Sequence, residues 1–174
     1  MTICDLRGSV KDFIDVLQMS LNLIQCTFTL EGEDLFGNLV TAGDVGIMRH
    51  EQLKRLSLER PMWETDRIWD LGTEVFHHLT LPALCDLVVR LPVWQGSLVS
   101  FLYQSVCPLL QLEVKSSSGK TLVDCLEHVP SIVNLHLEWD GHGNMSNDLL
   151  QMLTFRAPIH PNSGTCVAPN LLHF

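Results

Sequence analysis

Two stretches of this chain align residue for residue without a gap. LKRLSLERPMW (Leu53–Trp63) and LCDLVVRLPVW (Leu84–Trp94) share the first Leu, the Leu three places on, the Pro and the Trp. A repeat at this period restricts the fold more than composition does, because each copy must become the same local structure. The common unit is Leu-x-x-Leu-x-Leu. Looser copies run through Leu23, Cys26 and Phe28, then Leu109, Leu112 and Val114, then Ile132, Leu135 and Leu137. Successive copies start 30, 31, 25 and 23 residues apart, and a truncated sixth begins in Leu171–Phe174.

The last two apolar residues of each unit stand two apart, the period of a strand with one buried face. Their neighbours must then point the other way. Those are Gln25 and Thr27; Arg55, Ser57 and Glu59; Asp86, Val88 and Arg90; Gln111, Glu113 and Lys115; Asn134, His136 and Glu138. All but Val88 are polar. Between the units lie stretches with helical spacing. SVKDFIDVLQMSL sets Phe13, Val16, Leu17 and Leu21 on one side, and IWDLGTEVFHHL spaces Leu71, Val75 and Leu79. SLVSFLYQSV, TLVDCLEHV and SNDLLQMLT follow the same pattern, with Ser97 and Ser146 as expected N-caps. Pro82, Pro108 and Pro130 stand where those helices must stop.

A strand-turn-helix-turn unit cannot bury its apolar side alone, but stacked copies share one core. The expected fold class is therefore α/β: a leucine-rich-repeat-like solenoid with parallel strands on a concave face and short helices on a convex one. It comprises about five repeats plus the truncated sixth, in one domain over 1–174. Residues 1–22 are expected to be the leading helix of an incomplete repeat, and 158–174 a loop entering the truncated one. The Asn or Cys that usually follows the strand in such repeats is missing. Glu31, Pro61, Pro92, Ser117 and Asp140 hold those places, so the bends need other hydrogen-bond partners. Trp63 and Trp94 are expected to fill space beneath the helices.

HLTLPALCDLVV, GSLVSFLYQSVCPLLQLEV, LVDCLEHVPSIVNLHLEW and VAPNLLHF resemble the repeat region of F-box proteins from mushroom-forming fungi. The matching positions include Leu79–Leu87, Ser100–Leu112 and Cys125–Leu137, and the likeness extends over about Leu23–Phe174. It implies the substrate-recognition half of a ubiquitin-ligase receptor. The F-box, the helical module that docks on the ligase adaptor, has no counterpart in this sequence. The adaptor is therefore an implied partner only where such a module exists.

Charge narrows the partners. With 11 Lys and Arg against 20 Asp and Glu, the net charge is −9, and the basic residues are scattered. Phosphate backbones and anionic membranes need clustered cations, so neither nucleic acid nor membrane is expected. The start MTICDLRGSV lacks the pattern of a signal peptide, which sets the expected location as cytoplasmic or nuclear. The six cysteines form no Cys-x-x-Cys pair and mostly fall in apolar runs, as reduced core residues do. His77 and His78 are adjacent rather than a helical turn apart, and His136 and His142 have no thiolate beside them, so no metal site is expected.

One motif points elsewhere. VKSSSGKTL (Val114–Leu122) places Gly-Lys-Thr between a strand and a helix. A phosphate-binding loop also needs a Gly five places before Gly119, and Val114 is there. Ser116–Gly119 then reads as a turn. The functional expectation is a non-enzymatic protein-interaction module without cofactor. Its binding residues are Arg55, Ser57, Glu59, Asp86, Val88, Arg90, Gln111, Glu113, Lys115, Asn134, His136 and Glu138. The alternatives are a nucleotide hydrolase using Lys120, and a nonfunctional fragment.

Overall fold

The computed structural model describes residues 2–30, 46–59, 75–91, 95–116 and 119–139. In chain order its elements are β1 (Thr2–Gly8), α1 (Val10–Met19), β2 (Leu23–Leu30), β3 (Met48–Arg49), β4 (Arg55–Glu59) and β5 (Leu79–Thr80). There follow β6 (Asp86–Arg90), α2 (Gln95–Ser105), β7 (Gln111–Ser116), α3 (Gly119–His128) and β8 (Asn134–Trp139). The fold is α/β. Six strands form one sheet in the order β1-β2-β4-β6-β7-β8, every pair parallel, so sheet neighbours follow the chain. A two-residue parallel ladder joins β3 to β5.

The sheet register aligns the repeat copies. Cys26, Leu56, Leu87, Leu112 and Leu135 stand side by side in one row, and Phe28, Leu58, Val89, Val114 and Leu137 in the next. Apart from the partly buried Leu137, all are buried. The leading residues Leu23, Leu53, Leu84, Leu109 and Ile132 are each 1% exposed or less. Helix residues complete this core: Phe13, Ile14 and Leu17 from α1, Leu98, Phe101 and Leu102 from α2, and Leu122, Cys125 and Leu126 from α3. The Phe13 ring lies 4.9 Å from that of Phe28, and the Phe76 ring 4.8 Å from that of Phe101.

The repeat also holds at the backbone, just before each strand. The Lys54 carbonyl accepts from both Cys85 and Asp86 N–H, that of Cys85 from Leu110 and Gln111, and that of Leu110 from Val133 and Asn134. One shared carbonyl thus passes from copy to copy at the second residue of the unit. Three residues before the leading apolar position, a carbonyl closes the turn in most copies: Ser20 to Leu23 N–H, Leu81 to Leu84, Val129 to Ile132.

The structure corrects the reading of residues 1–22. Thr2–Gly8 is a strand, paired in parallel with β2, and only Val10–Met19 is helical. Ser9 starts that helix through a reciprocal capping box with Asp12, whose carboxyl is held below its ordinary range by the Ser9 hydroxyl and N–H. Leu21 is exposed rather than on the apolar side, and Val10 and Ile14 complete the buried stripe. Ser97 lies buried two residues inside α2 and so does not cap it. Leu79 is in β5, although its spacing from Val75 suggested a helix; the turn at His78 ends the helical residues 75–77. Trp63, Trp94, Ser146, His142, residues 158–174 and all five positions of the missing Asn lie outside the described residues.

Candidate docking face

With alternate side chains committed to the core, the remaining ones form a second face in three rows. The first runs Gln25, Arg55, Asp86, Gln111, Asn134; the second Thr27, Ser57, Val88, Glu113, His136. The third contains Thr29, Glu59 and Arg90, then Lys115 beside Glu138. All are exposed or half-buried, so the structure brings together, on one surface, the twelve residues named from sequence. It adds Thr29 and two residues of β1 that the repeat template missed. Asp5 and Arg7 of β1 stand beside Thr27 and Thr29. Their signal was the short alternation Cys4-x-Leu6, which pairs with Cys26-x-Phe28.

Neighbouring parallel strands lie about 4.8 Å apart, within reach of long charged side chains. Most charges on the face pair across that gap. Arg55 Nε is 3.3 Å from Asp86 Oδ2, and Lys115 Nζ 3.1 Å from Glu138 Oε1. Arg90 spans three strands: its Nε donates to Glu113 Oε1 at 2.8 Å and its Nη1 to Glu59 Oε1 at 3.1 Å. The Glu113 hydrogen bond, then its charge, raises the Arg90 pKa further above its ordinary value. The Ser57 hydroxyl donates to Glu59 Oε1 at 3.3 Å. Exposed pairs of this kind add little stability, about 0–1 kcal/mol each. What they arrange is alternating charge around the half-buried Val88. At the end of the first row, Asn134 Oδ1 is buried with no hydrogen-bond partner among the described residues.

The turns that enter the strands are closed by hydrogen bonds of their own. In the second copy a side chain replaces the turn carbonyl. His50, 1% exposed, accepts from Leu53 N–H at 3.1 Å through Nδ1 and donates from Nε2 to the Ser20 carbonyl at 3.0 Å. These bonds require the neutral ring with its proton on Nε2. Ser105 Oγ accepts from Leu81 N–H at 3.1 Å, and Ser131 Oγ donates to the Leu109 carbonyl at 2.7 Å.

At the Gly-Lys-Thr motif, Gly119 and Lys120 form the first turn of α3. Val114, where a phosphate loop needs its first Gly, is buried in β7 between Val89 and Leu137. Cys26, Cys107 and Cys125 are buried, and Cys4 and Cys85 half-buried. Burial is the main cause that pushes the Cys26 and Cys125 thiols up to about 12 and Cys107 to about 11. Among the described residues no group of three or more His, Cys, Asp or Glu could hold a metal ion. Nor, among them, is any helix long and apolar enough to cross a membrane. Compared with protein-family models, curated proteins and solved structures, the chain matches none of them.

Proposed function

We propose that this chain is a leucine-rich-repeat-like solenoid whose charged sheet face docks a protein. The observation that carries the reading is the three-row face itself: an array of both signs, joined by Arg90 across three strands, with an apolar residue near its middle. A surface of alternating sign suits a protein of matching mosaic better than a polyanion. Val88, within a polar rim, has the make-up of a small interface centre. The resemblance to fungal F-box repeat regions makes the bound protein a substrate for ubiquitin transfer, with the adaptor engaged through an F-box supplied elsewhere.

The test compares proteins captured by the wild-type chain, by Arg90→Glu, by Val88→Asp and by Lys11→Glu, the last changing an exposed residue of α1. A partner of this face is retained by wild type and Lys11→Glu and lost with both face variants. Purified, it should bind wild type at least about tenfold more tightly than either. A partner lost equally with Lys11→Glu, or unaffected by both face variants, defeats the proposal.

A further inference from the structure

Among the described residues the charges of β1 have no partner of the kind found elsewhere on the sheet. Arg55, Glu59, Asp86, Arg90, Glu113, Lys115 and Glu138 all pair across strands. Asp5 and Arg7 lie on the same face, but their β2 neighbours Thr27 and Thr29 are uncharged. Among the described residues neither makes an ion pair, and nothing pairs with the far edge of β1. On the opposite face Leu6 is 36% exposed, whereas its row-mates Phe28, Leu58 and Val89 are at 1% or less.

We infer that this edge pairs with a second copy of itself: two β1 strands run antiparallel about a two-fold axis through Leu6. An open strand edge offers unpaired N–H and C=O groups to any strand that fits, and the side chains select this fit. With the axis at Leu6, Asp5 stands opposite Arg7 of the second copy, and its Arg7 opposite Asp5 of the first. Leu6 meets Leu6 on the core side, and Cys4 meets Gly8, which has no side chain to obstruct it. An axis through Asp5 would oppose two carboxylates, and one through Arg7 two guanidiniums. Opposite like charges destabilise a strand pair, while opposite unlike charges favour it. The pairing keeps both faces continuous, so two six-stranded sheets become one. It is independent of what docks on the charged face.

Five paired positions per strand make a small interface, below ~1,000 Å², for which a Kd in the ~10–100 µM range is expected. Sedimentation equilibrium of the full chain should show a monomer-dimer equilibrium in that range. Asp5→Arg and Arg7→Asp should each weaken it about tenfold or more, with the circular dichroism spectrum and melting temperature unchanged. The deciding measurement mixes the two single variants. Each has lost its own complementarity, but one now offers two cations and the other two anions at the facing positions. The mixture should form heterodimers at least as readily as wild type forms homodimers. Wild type that stays monomeric at about 200 µM, single variants that dimerise like wild type, or a mixture no more associated than its components would each overturn the inference.

Discussion

At the residue scale, His50 and the buried thiols carry the sharpest consequences. His50 occupies a turn position where other copies use a carbonyl, and it serves the buried Leu53 N–H and the part-buried Ser20 carbonyl at once. Replacing it with Ala leaves the Leu53 N–H without an acceptor inside the core. His50→Ala should lower the unfolding free energy in urea by about 2–4 kcal/mol. The thiols act through pH. Cys26 and Cys125 rise from an ordinary 9.0 to about 12, and Cys107 to about 11, because burial disfavours the thiolate. Folding therefore favours the protonated form. That contribution is complete below pH 9 and is lost as pH climbs through the interval up to 11–12. Within that interval the limit is about 1.4 kcal/mol per thiol per pH unit. Urea titrations at about pH 8, 9 and 10 should show the loss beginning above 9, with a shallower fall in Cys125→Ala than in wild type. The sequence placed these cysteines in the core from their apolar surroundings. It did not single out His50, because the role depends on Ser20 lying beside it, 30 residues away in the chain.

At the element scale, five strands of the main sheet were legible because the repeat states their phase outright. Leu112 is 1% exposed, and Glu113, the next residue, reaches the charged face and Arg90. Leu112→Asp should therefore cost about 3 kcal/mol or more by burying a carboxylate, while Glu113→Ala should stay within about 0.5 kcal/mol. Equal costs in denaturant titrations would refute the assigned phase. The first strand was not legible, since TICDLRG carries only the last two positions of the template and its register with β2 shifts between Thr2 and Ile3. The charged face was readable as a list of residues. Its cross-strand pairing was not, because which acid meets which base depends on a register that no single segment contains. The end of α2 has a different kind of tension. Val106 takes a left-handed φ of 47° just past the last helical residue, a place suited to Gly, and its side chain is 83% exposed. A β-branched residue pays about 1–2 kcal/mol for that conformation, and little packing offsets it. Val106→Gly should raise the melting temperature, with a gain of about 0.5–1 kcal/mol once the greater chain freedom of Gly is counted.

At the scale of the whole molecule, the order of the strands governs how stability is shared. Among the described residues each strand of the main sheet hydrogen-bonds to its neighbours in the sequence of copies, so within one chain β6, with β4 on one side and β7 on the other, is held twice and β1 once. In such a row the ends open at less cost than the middle. The exposure of Leu6 at one end and the incomplete burial of Leu137 at the other show the core thinning in that direction. Native-state hydrogen exchange followed at about 1 µM, below the concentration at which β1 edges are expected to pair, should therefore be slowest in 55–59 and 86–90 and quicken outward, with β1 exchanging at low denaturant before the centre responds. Leu87→Ala, in the middle, should speed exchange throughout the sheet and cost about 2–5 kcal/mol by emptying a site that is 0% exposed. Leu135→Ala in β8 should speed exchange mainly in 111–139, because opening that end no longer requires the central strands to part. Should both variants accelerate exchange uniformly across the sheet, the strands unfold as one indivisible unit and the neighbour-by-neighbour account of stability fails.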